Sequence, residues 1–390
     1  MKYNFDKLIN RRGTNAIKYD FSIREGMPED VIPMWVADMD FQSPPAVIEA
    51  VIKAARHGVF GYPSNPYKCF EAVYNWFSSR FNWNTEYEWL IQTPGVVYAL
   101  ATAIRALTDP GDSILIQRPV YHPFSNLIRV NKRKLVNSPL VNVNGRYSID
   151  FDDFEAKIVE NNVKLFLLCS PHNPVSRVWS KDELNKLGEI CLKHDVIVVA
   201  DEIHCDFVFQ GRHYMFASLK KEFLDNTITC TAPSKTFNLA GLQAANIFIA
   251  NKAIRDKFKE EMKRSGYSHI NLIASAACQA AYKYGADWLD ELNLYLEGNI
   301  SFVKSFLTRK MPEITLSDPQ GTYLLWMDFR KYKLGENELE NILINKAKIW
   351  MNKGSMFGVE GKGYYRMNIA LPRSLLYKAL EQLSSAFGAI

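Results

Sequence analysis

The chain has 390 residues, of which 47% are hydrophobic, so about two domains with substantial cores are expected. The net charge is +5, from 47 Lys and Arg against 42 Asp and Glu, and charges of both signs are interspersed along the chain. This pattern excludes the basic clusters typical of proteins that bind nucleic acids or membrane surfaces.

The cysteines and the start of the chain bear on the cellular compartment. The six cysteines show no C-x-x-C spacing and several lie in apolar runs, which favours reduced core thiols over disulfides or a zinc site. The first residues lack the apolar core of a signal peptide, and no run of 18 apolar residues exists. We therefore predict a cytoplasmic protein with no metal site.

The first part of the chain predicts an arm followed by two helices. Residues 1–43 are expected to be extended and irregular, because prolines prevent a long helix. The arm ends in the apolar and aromatic segment 34–41, which should lie over another surface. One helix is predicted from Pro44-Pro45 through Ala55, and a second over 67–81.

A short strand and a helix then meet at a glycine. Residues 89–93 predict a strand, Pro94-Gly95 predicts a turn, and a helix begins near Val96. The first-turn amides of a helix are unpaired, and the helix dipole is positive there. This junction is therefore a candidate site for an anion.

Strands and helices alternate over residues 113–200. The runs 165–168 and 196–199 are continuously apolar, as in strands covered by helices on both faces. Ser180 and Glu183 form a predicted capping box. The predicted elements are strands 113–117, 135–140, 163–169 and 196–200 and helices 151–161 and 181–193. The alternation predicts a mostly parallel, doubly wound α/β sheet with its functional site at the carboxyl ends of the strands.

Polar side chains follow three of the predicted buried strands. Ser170–Pro174 and Asp201–His204 each come directly after a strand, and Lys235 follows the strand 227–231. A partly desolvated lysine has a lowered pKa and can attack a carbonyl, while neighbouring hydroxyls and amides suit a phosphate. This combination is what a Schiff base to pyridoxal phosphate requires. The alternatives are a surface-loop lysine, and a helix cap or loop salt bridge for the other two motifs.

The remainder of the chain predicts a further strand, several helices and a small α/β unit. The predicted elements are strands 245–250, 322–329 and 364–370, helices within 252–311, and helices 336–352 and 373–387. No internal repeat or flexible linker is present. We therefore expect an arm over 1–43 that also joins the small domain, a large domain over 44–285 and a small C-terminal α/β domain over 286–390.

Several short motifs together resemble one enzyme superfamily. They are Pro94-Gly95, Tyr121, Ser170–Pro174, Asp201–His204, Ser234–Asn238 and Arg366–Ala370. Their order and spacing resemble the fold-type I pyridoxal-phosphate enzymes, the aspartate aminotransferase superfamily. Within it, the segments 35–41, 201–206 and 234–242 resemble the MalY/PatB-type cystathionine β-lyases, also called C–S lyases. The resemblance implies a large domain with a mostly parallel seven-stranded sheet, a smaller α/β domain and pyridoxal 5′-phosphate as cofactor.

The resemblance implies roles for the residues around the cofactor ring. Lys235 would hold the cofactor as a Schiff base and, once freed by substrate, remove the Cα proton. Asp201 would keep the pyridine nitrogen protonated, so that the ring acts as an electron sink. Asn173 would hydrogen-bond to the ring hydroxyl oxygen, and Tyr121 would stack on the ring. Lys235, Tyr121 and Asp201 form the implied catalytic set.

The resemblance also implies how the cofactor phosphate is held. Gly95, the amides of Val96 and Val97, and Ser234 would surround it. Tyr62 would reach the phosphate of the neighbouring subunit, which makes a homodimer with shared active sites part of the prediction. The other partner expected is a small-molecule amino-acid substrate, and neither a nucleic acid nor a membrane is expected.

For the substrate, the resemblance implies a two-pronged salt bridge from Arg366 to the α-carboxylate, which a lysine could not reproduce. Asn173, Val36 and Ala37 would also lie on the substrate side of the site. Together these residues would orient the Cα–H bond toward the base. The substrate would therefore be an α-amino acid.

Two positions depart from the pattern of the superfamily. Many aminotransferases of this fold carry a phosphate-binding arginine eight residues after the lysine, where this chain has Gln243. A tyrosine that usually assists the ring hydroxyl is replaced by His204, which we still place among the cofactor-binding residues. Both departures agree with the lyase branch.

Three functions are compatible with these residues. The first is β-elimination from L-cystathionine and related S-substituted cysteines, which yields a thiol such as homocysteine, pyruvate and ammonia. The second is a pyridoxal-phosphate-dependent aminotransferase. The third is a pyridoxal-phosphate-binding regulatory protein that acts through protein contacts.

Overall fold

The large sheet of the protein has seven strands in the described part of the chain. The computed structural model describes residues 2–64 and 67–388. In spatial order the strands are Leu90–Thr93, Ala245–Phe248, Thr227–Thr231, Ile197–Asp201, Val163–Cys169, Ser113–Ile116 and Lys134–Asn137. Only Ala245–Phe248 runs antiparallel to its neighbours. The predicted mostly parallel, seven-stranded α/β sheet is confirmed.

Helices cover both faces of this sheet. Along the central strand Val163–Cys169, Leu165 and Leu167 join one hydrophobic core, and Phe166 and Leu168 join the core on the opposite face. The continuous apolar run seen in the sequence arises because successive side chains point to opposite faces and both faces are buried. This packing leaves the strand ends as the place for polar groups.

The helix bounds agree closely with the periodicity of the sequence. The helices longer than eight residues are Pro45–Arg56, Tyr67–Phe81, Val96–Leu107, His122–Val130, Phe151–Asn161, Lys181–Lys193, Lys252–Arg264, Leu272–Tyr284, Ala286–Lys310 and Arg373–Phe387. Ser180 and Glu183 form the predicted capping box at the start of their helix. Short helices lie at Asp20–Arg24, Lys221–Asp225, Pro233–Thr236 and Glu336–Asn341. No helix of the described residues is long and apolar enough to cross a bilayer.

A second, antiparallel sheet contains Thr315–Leu316, Leu324–Asp328, Tyr364–Asn368 and Asn352–Lys353 in that order. The predicted helix over 336–352 is wrong over 347–352. The helix ends in a π-helical turn, Ile342–Lys346, and Lys348 then adopts φ 56°. Pairing with residues far away in sequence draws this segment into strands, so tertiary contacts override its local helical pattern.

The N-terminal arm is largely irregular, as predicted, and it packs over the rest of the chain. Its strand Ile32–Pro33 pairs in parallel with Ile349–Trp350. Elsewhere in the chain, Val141–Val143 and Arg146–Ser148 form a small hairpin. Phe5 packs edge-on against Trp288 of the long helix, at a centroid distance of 5.8 Å. The boundaries proposed for the large and small domains stay a prediction.

Candidate active site

A cavity of about 360 Å³ opens at the carboxyl ends of the large sheet. Among the predicted site residues, those that line it are Val36, Ala37, Gly95, Val96, Val97, Tyr121, Asn173, Asp201, His204, Ser234, Lys235 and Arg366. Tyr62 lies outside this cavity, and its side chain is fully exposed. The fold therefore brings together residues that are up to about three hundred positions apart in sequence.

Lys235 is presented by a single helical turn, Pro233–Thr236, that follows the buried strand Thr227–Thr231. Its Nζ donates a hydrogen bond to the Ala37 carbonyl oxygen at 2.7 Å. Burial lowers the pKa of Lys235 to about 8, which the charge of Asp38 partly opposes. A lysine in this state exchanges its proton near neutral pH, as a base or nucleophile must.

Asp201 is the last residue of the strand Ile197–Asp201. The Ile203 amide donates to its Oδ1 at 3.2 Å, and burial raises the pKa of the carboxyl to about 7. No Lys, Arg or His in the described residues lies within ion-pair distance of this carboxylate. A buried carboxylate in this position favours a cationic group inside the cavity.

His204 lies beside Asp201 and is fully enclosed by protein. Its Nδ1 is buried and has no hydrogen-bond partner among the described residues. Burial, together with the charges of Lys235 and Arg366, lowers the pKa of His204 well below its ordinary value. The imidazole is therefore neutral at pH 7, so it can offer a hydrogen bond but no positive charge.

Tyr121 and Asn173 stand on neighbouring loops of the cavity wall. The Tyr121 amide donates to the Asn173 carbonyl oxygen at 3.0 Å, which ties the two loops together. Burial raises the pKa of the Tyr121 hydroxyl, so the phenol stays neutral. The Asn173 side-chain oxygen accepts a hydrogen bond from Arg366 at 3.0 Å.

Arg366 lies in the strand Tyr364–Asn368 of the second sheet, with its side chain buried. Its Nη2 donates to the Trp35 carbonyl oxygen at 2.8 Å and to the Asn352 Oδ1 at 2.6 Å, while Nε has no partner in the described residues. Burial lowers the pKa of Arg366 to about 10. No carboxylate of the described chain pairs with this cation, so it offers a site for an anion.

The opposite end of the cavity is formed by the start of the helix Val96–Leu107. Gly95 precedes it and provides no side-chain cap, and a Cβ at this position would meet no protein atom within 4 Å. Val96, Val97 and Ser234 also line the cavity. A helix start without a cap, beside open space and a hydroxyl, suits a phosphate.

Several residues around the cavity were not predicted as site residues. His122, Asn352 and Met356 line the wall, and the Tyr323 hydroxyl donates to the Ala37 carbonyl oxygen at 3.0 Å. Local sequence gave no signal for Asn352, because it was placed inside a predicted helix. Gln243, noted above as a departure, also lines the cavity.

The family model described as aminotransferase class I and II matches residues 29–383. The chain belongs to this family. Membership accounts for the seven-stranded sheet and for a cavity at its carboxyl ends, and it confirms the fold implied by the sequence motifs.

Individual members of the aminotransferase class I and II family are similar over their whole length. Cystathionine β-lyase PatB of Bacillus subtilis (strain 168) is 42% identical over 384 residues, covering 98% of this chain and 99% of the relative. Protein MalY of Escherichia coli (strain K12) is 32% identical, and 100% of both chains is covered. The resemblance to the MalY/PatB type is therefore confirmed.

A solved structure is also similar in three dimensions. Cystalysin from Treponema denticola, whose crystal structure contains pyridoxal 5′-phosphate, is 38% identical with a TM-score of 0.96, and the match covers 100% of each chain. The two chains are therefore similar in both sequence and fold over their whole length.

Proposed function

We propose that the protein is a pyridoxal-phosphate-dependent carbon–sulfur lyase. It catalyses β-elimination from L-cystathionine and related S-substituted cysteines, and it releases a thiol, pyruvate and ammonia. The observation that carries this proposal is the surroundings of Lys235, a half-buried amine with a pKa of about 8. It lines the same cavity as the buried carboxyl of Asp201 and the buried guanidinium of Arg366, which has no counter-charge among the described residues. The 42% identity to a cystathionine β-lyase supports the reaction class.

The residues present fit pyridoxal phosphate from one end of the cavity to the other. The uncapped helix start at Gly95, with Val96, Val97 and Ser234, suits the phosphate, and Asp201 suits a protonated pyridine nitrogen. When bound, the cofactor supplies an electron sink for the electron pair of the Cα–H bond.

The ring of the cofactor requires a flat neighbour and a hydrogen-bond donor for its hydroxyl oxygen. Tyr121 and Asn173 line the cavity and are joined through the backbone, so they can hold the two features in a fixed relation. His204 is neutral and has a free nitrogen, so it can offer a second hydrogen bond on this side. Neutral groups here leave the negative charge of Asp201 uncompensated until the cofactor binds.

Arg366 orients the substrate. Its guanidinium is already held by Trp35, Asn173 and Asn352 through neutral oxygens, so the fork is rigid but its charge is unmatched. An α-carboxylate supplies the missing charge and accepts two parallel hydrogen bonds. Binding at this point fixes the rotation of the substrate about its Cα, which selects the bond that breaks.

Lys235 moves the proton. Its Nζ, which donates to the Ala37 carbonyl oxygen, is the amine that would hold the cofactor, and it would be free to act as a base once substrate is bound. The neutral Nζ then accepts the Cα proton. The Cβ–S bond breaks with its electron pair on sulfur, and the same Nζ can return the proton to the departing thiolate.

An assay of pyruvate and ammonia from L-cystathionine tests the proposal directly. A parallel assay measures amino-group transfer to 2-oxo acids. Release of pyruvate with transfer at least tenfold slower is the expected result, whereas transfer that dominates would assign the aminotransferase. If neither reaction occurs, and a Lys235→Ala protein still binds protein partners, the regulatory hypothesis takes its place.

We propose further that the enzyme acts as a homodimer in the cytoplasm. Val59, Phe60, Tyr62 and Tyr67 expose large apolar surfaces close together in sequence, which supports an intersubunit contact in this region. Tyr62 would then serve the site of the partner. All six cysteines are unpaired thiols, which supports a reducing compartment.

A further inference from the structure

The segment 35–41 contains two acidic residues that the proposed reaction does not use. Arg11 Nη2 pairs with Asp38 Oδ2 at 2.6 Å, and Arg11 Nη1 pairs with Asp40 Oδ1 at 2.7 Å. Lys18 Nζ, which is 1% exposed, lies 2.9 Å from Asp40 Oδ2 and 3.5 Å from Asp38 Oδ1. Two cations of the N-terminal arm therefore clamp two carboxylates behind the wall of the cavity.

The backbone of the same segment faces the active site. Its carbonyl oxygens accept hydrogen bonds from Arg366 at Trp35 and from Lys235 at Ala37. The carbonyl oxygens of Val36 and Asp38 both accept from Asn368 Nδ2, at 2.6 Å each. Two residues of one short segment, Trp35 and Ala37, thus contact Arg366 and Lys235, respectively.

A third attachment joins this segment to the helical turn that carries Lys235. Asn238, three residues after the lysine, accepts from the Met39 amide at 2.9 Å and donates to the carbonyl oxygens of Met39 and Phe41 at 3.0 and 2.9 Å. Asn238 has φ 59°, a left-handed conformation that asparagine tolerates. The distance between the segment and Lys235 is therefore fixed from both sides.

We propose that Asp38 is a positioning residue that acts on Lys235, and that Arg11 and Lys18 hold it in place from the N-terminal arm. Asp38 keeps the Ala37 carbonyl oxygen in hydrogen-bond contact with Lys235 Nζ. It also places a permanent negative charge near this amine. This inference rests on the role proposed for Lys235. Asp38 would therefore affect the ionisation of Lys235 as well as the packing of the arm.

The charges around Asp38 support this role. Burial would raise the pKa of Asp38, but Lys18 and Arg11 outweigh burial and hold the pKa below its ordinary value, so the carboxylate persists at neutral pH. Asp40 shares both cations, and the nearby Tyr323 hydroxyl is neutral because burial and Asp38 raise its pKa. Asp38 is thus a fixed charge rather than a titrating one.

At Lys235 the charge of Asp38 opposes the effects of burial and of Arg366 on the pKa. Burial and Arg366 both favour the neutral amine, while Asp38 and Asp201 favour the protonated one. Without Asp38, the amine would lose its proton at a lower pH and, as a weaker base, would accept the Cα proton less readily. The balance keeps Lys235 able to accept and to donate within one turnover.

The test is an Asp38→Asn variant, with Asp30→Asn as its matched control. Asp30 lies in the same arm and pairs with Lys348 at 3.3 Å, but its side chain is 66% exposed and does not line the active-site cavity. Full-length protein freed of cofactor is labelled at several pH values with a trace of acetic anhydride, and the peptide that contains Lys235 is quantified by mass spectrometry. This gives the midpoint for ionisation of Lys235 without any measurement of activity.

In Asp38→Asn the midpoint should fall by about half a pH unit or more, since a nearby negative charge has been removed. The acid limb of the kcat profile of the holoenzyme should move to lower pH in the same direction. Asp30→Asn should leave both unchanged. A folded Asp38→Asn protein with the wild-type midpoint overturns the proposal.

If Asp38→Asn fails to fold, Arg11→Lys provides a second route. This variant keeps the positive charge but loses the fork that binds both carboxylates, so Asp38 is less firmly held and the Lys235 midpoint should again fall. An unchanged midpoint in folded Arg11→Lys overturns the proposal. A wild-type protein without lyase activity would instead contradict the proposed function, because the labelling midpoint can still be measured.

Discussion

Lys18, which is buried, and Lys235, which is half-buried, contact the same short segment, residues 37–40, yet their surroundings differ. Lys18 meets the carboxylates of Asp40 and Asp38 and the Asp38 carbonyl oxygen. Lys235 meets one carbonyl oxygen, and no carboxylate of the described residues lies within ion-pair distance of its Nζ. Lys18 is thus matched by two counter-charges, whereas Lys235 has a single neutral partner and a lowered pKa.

The arginines repeat this contrast. Arg11 binds two carboxylates, while Arg366 is more deeply buried and binds only amide and carbonyl oxygens. Burying a charge without a counter-charge is costly, so a fold tolerates it where a ligand supplies the missing partner. The pairing of buried charges therefore separates the groups that hold the arm from the groups that act on the substrate.

Removing the reactive lysine should have the largest effect. Lys235→Ala is expected to lower kcat for pyruvate release by roughly ten thousandfold, since the proton transfer loses its base. The fold should persist, because no ion pair is broken. Thermal unfolding and pyruvate assays measure the two effects, and a variant within tenfold of the wild type would contradict the role of Lys235.

Removing the structural lysine should have the reverse profile. Lys18→Met leaves Asp40 buried with one cation fewer, so the free energy of unfolding should fall by about 3–5 kcal/mol. Urea denaturation measures this loss. Borohydride should still attach the cofactor to Lys235 in the folded fraction, as peptide mapping can show. A stable Lys18→Met protein would break the contrast between the two lysines.

Arg366→Lys tests the same contrast among the arginines. The charge remains, but the planar fork is lost, so kcat/KM should fall by an amount equal to about 2–4 kcal/mol of transition-state binding. Arg177→Lys is a suitable control, because Arg177 is buried too but pairs with Glu183 away from the cavity. Its effect should be on stability, with kcat/KM of the folded protein little changed. Equal losses of kcat/KM in both variants would argue against a specific role for Arg366.

These contrasts also show how far the sequence could predict the molecule. The sheet was predicted because buried parallel strands are continuously apolar. The positions of Lys235 and Asp201 after strands suggested a site, and the joint resemblance of several motifs to the pyridoxal-phosphate superfamily selected these two residues. The local sequence does not indicate that Lys18 is buried, because its charge is compensated by Asp38 and Asp40, which lie about 20 residues away in sequence. Asn352 was missed for a similar reason, because its strand forms only by pairing with Arg366 across the second sheet.

Tyr62 extends the comparison to an exposed residue of the described part of the chain. It is fully exposed, and no hydrogen bond or ring contact to it occurs among the described residues. In the homodimer proposed above, the partner of Tyr62 would lie on a second copy of the chain. Tyr62→Phe alone should weaken cofactor retention, a smaller effect than those above, which dialysis followed by absorbance measures.

Mixing two inactive proteins tests the shared site more sharply. If Tyr62→Ala proves inactive, it can be mixed in equal amounts with Lys235→Ala under conditions that exchange subunits, so that about half of the dimers become hybrids. Each hybrid then contains one site with an intact lysine and a Tyr62 from the other subunit, so about a quarter of wild-type activity should return. If Tyr62 served its own subunit, both sites of the hybrid would be defective. Activity that stays at background, with hybrids shown by native mass spectrometry, would therefore place Tyr62 outside the partner's site.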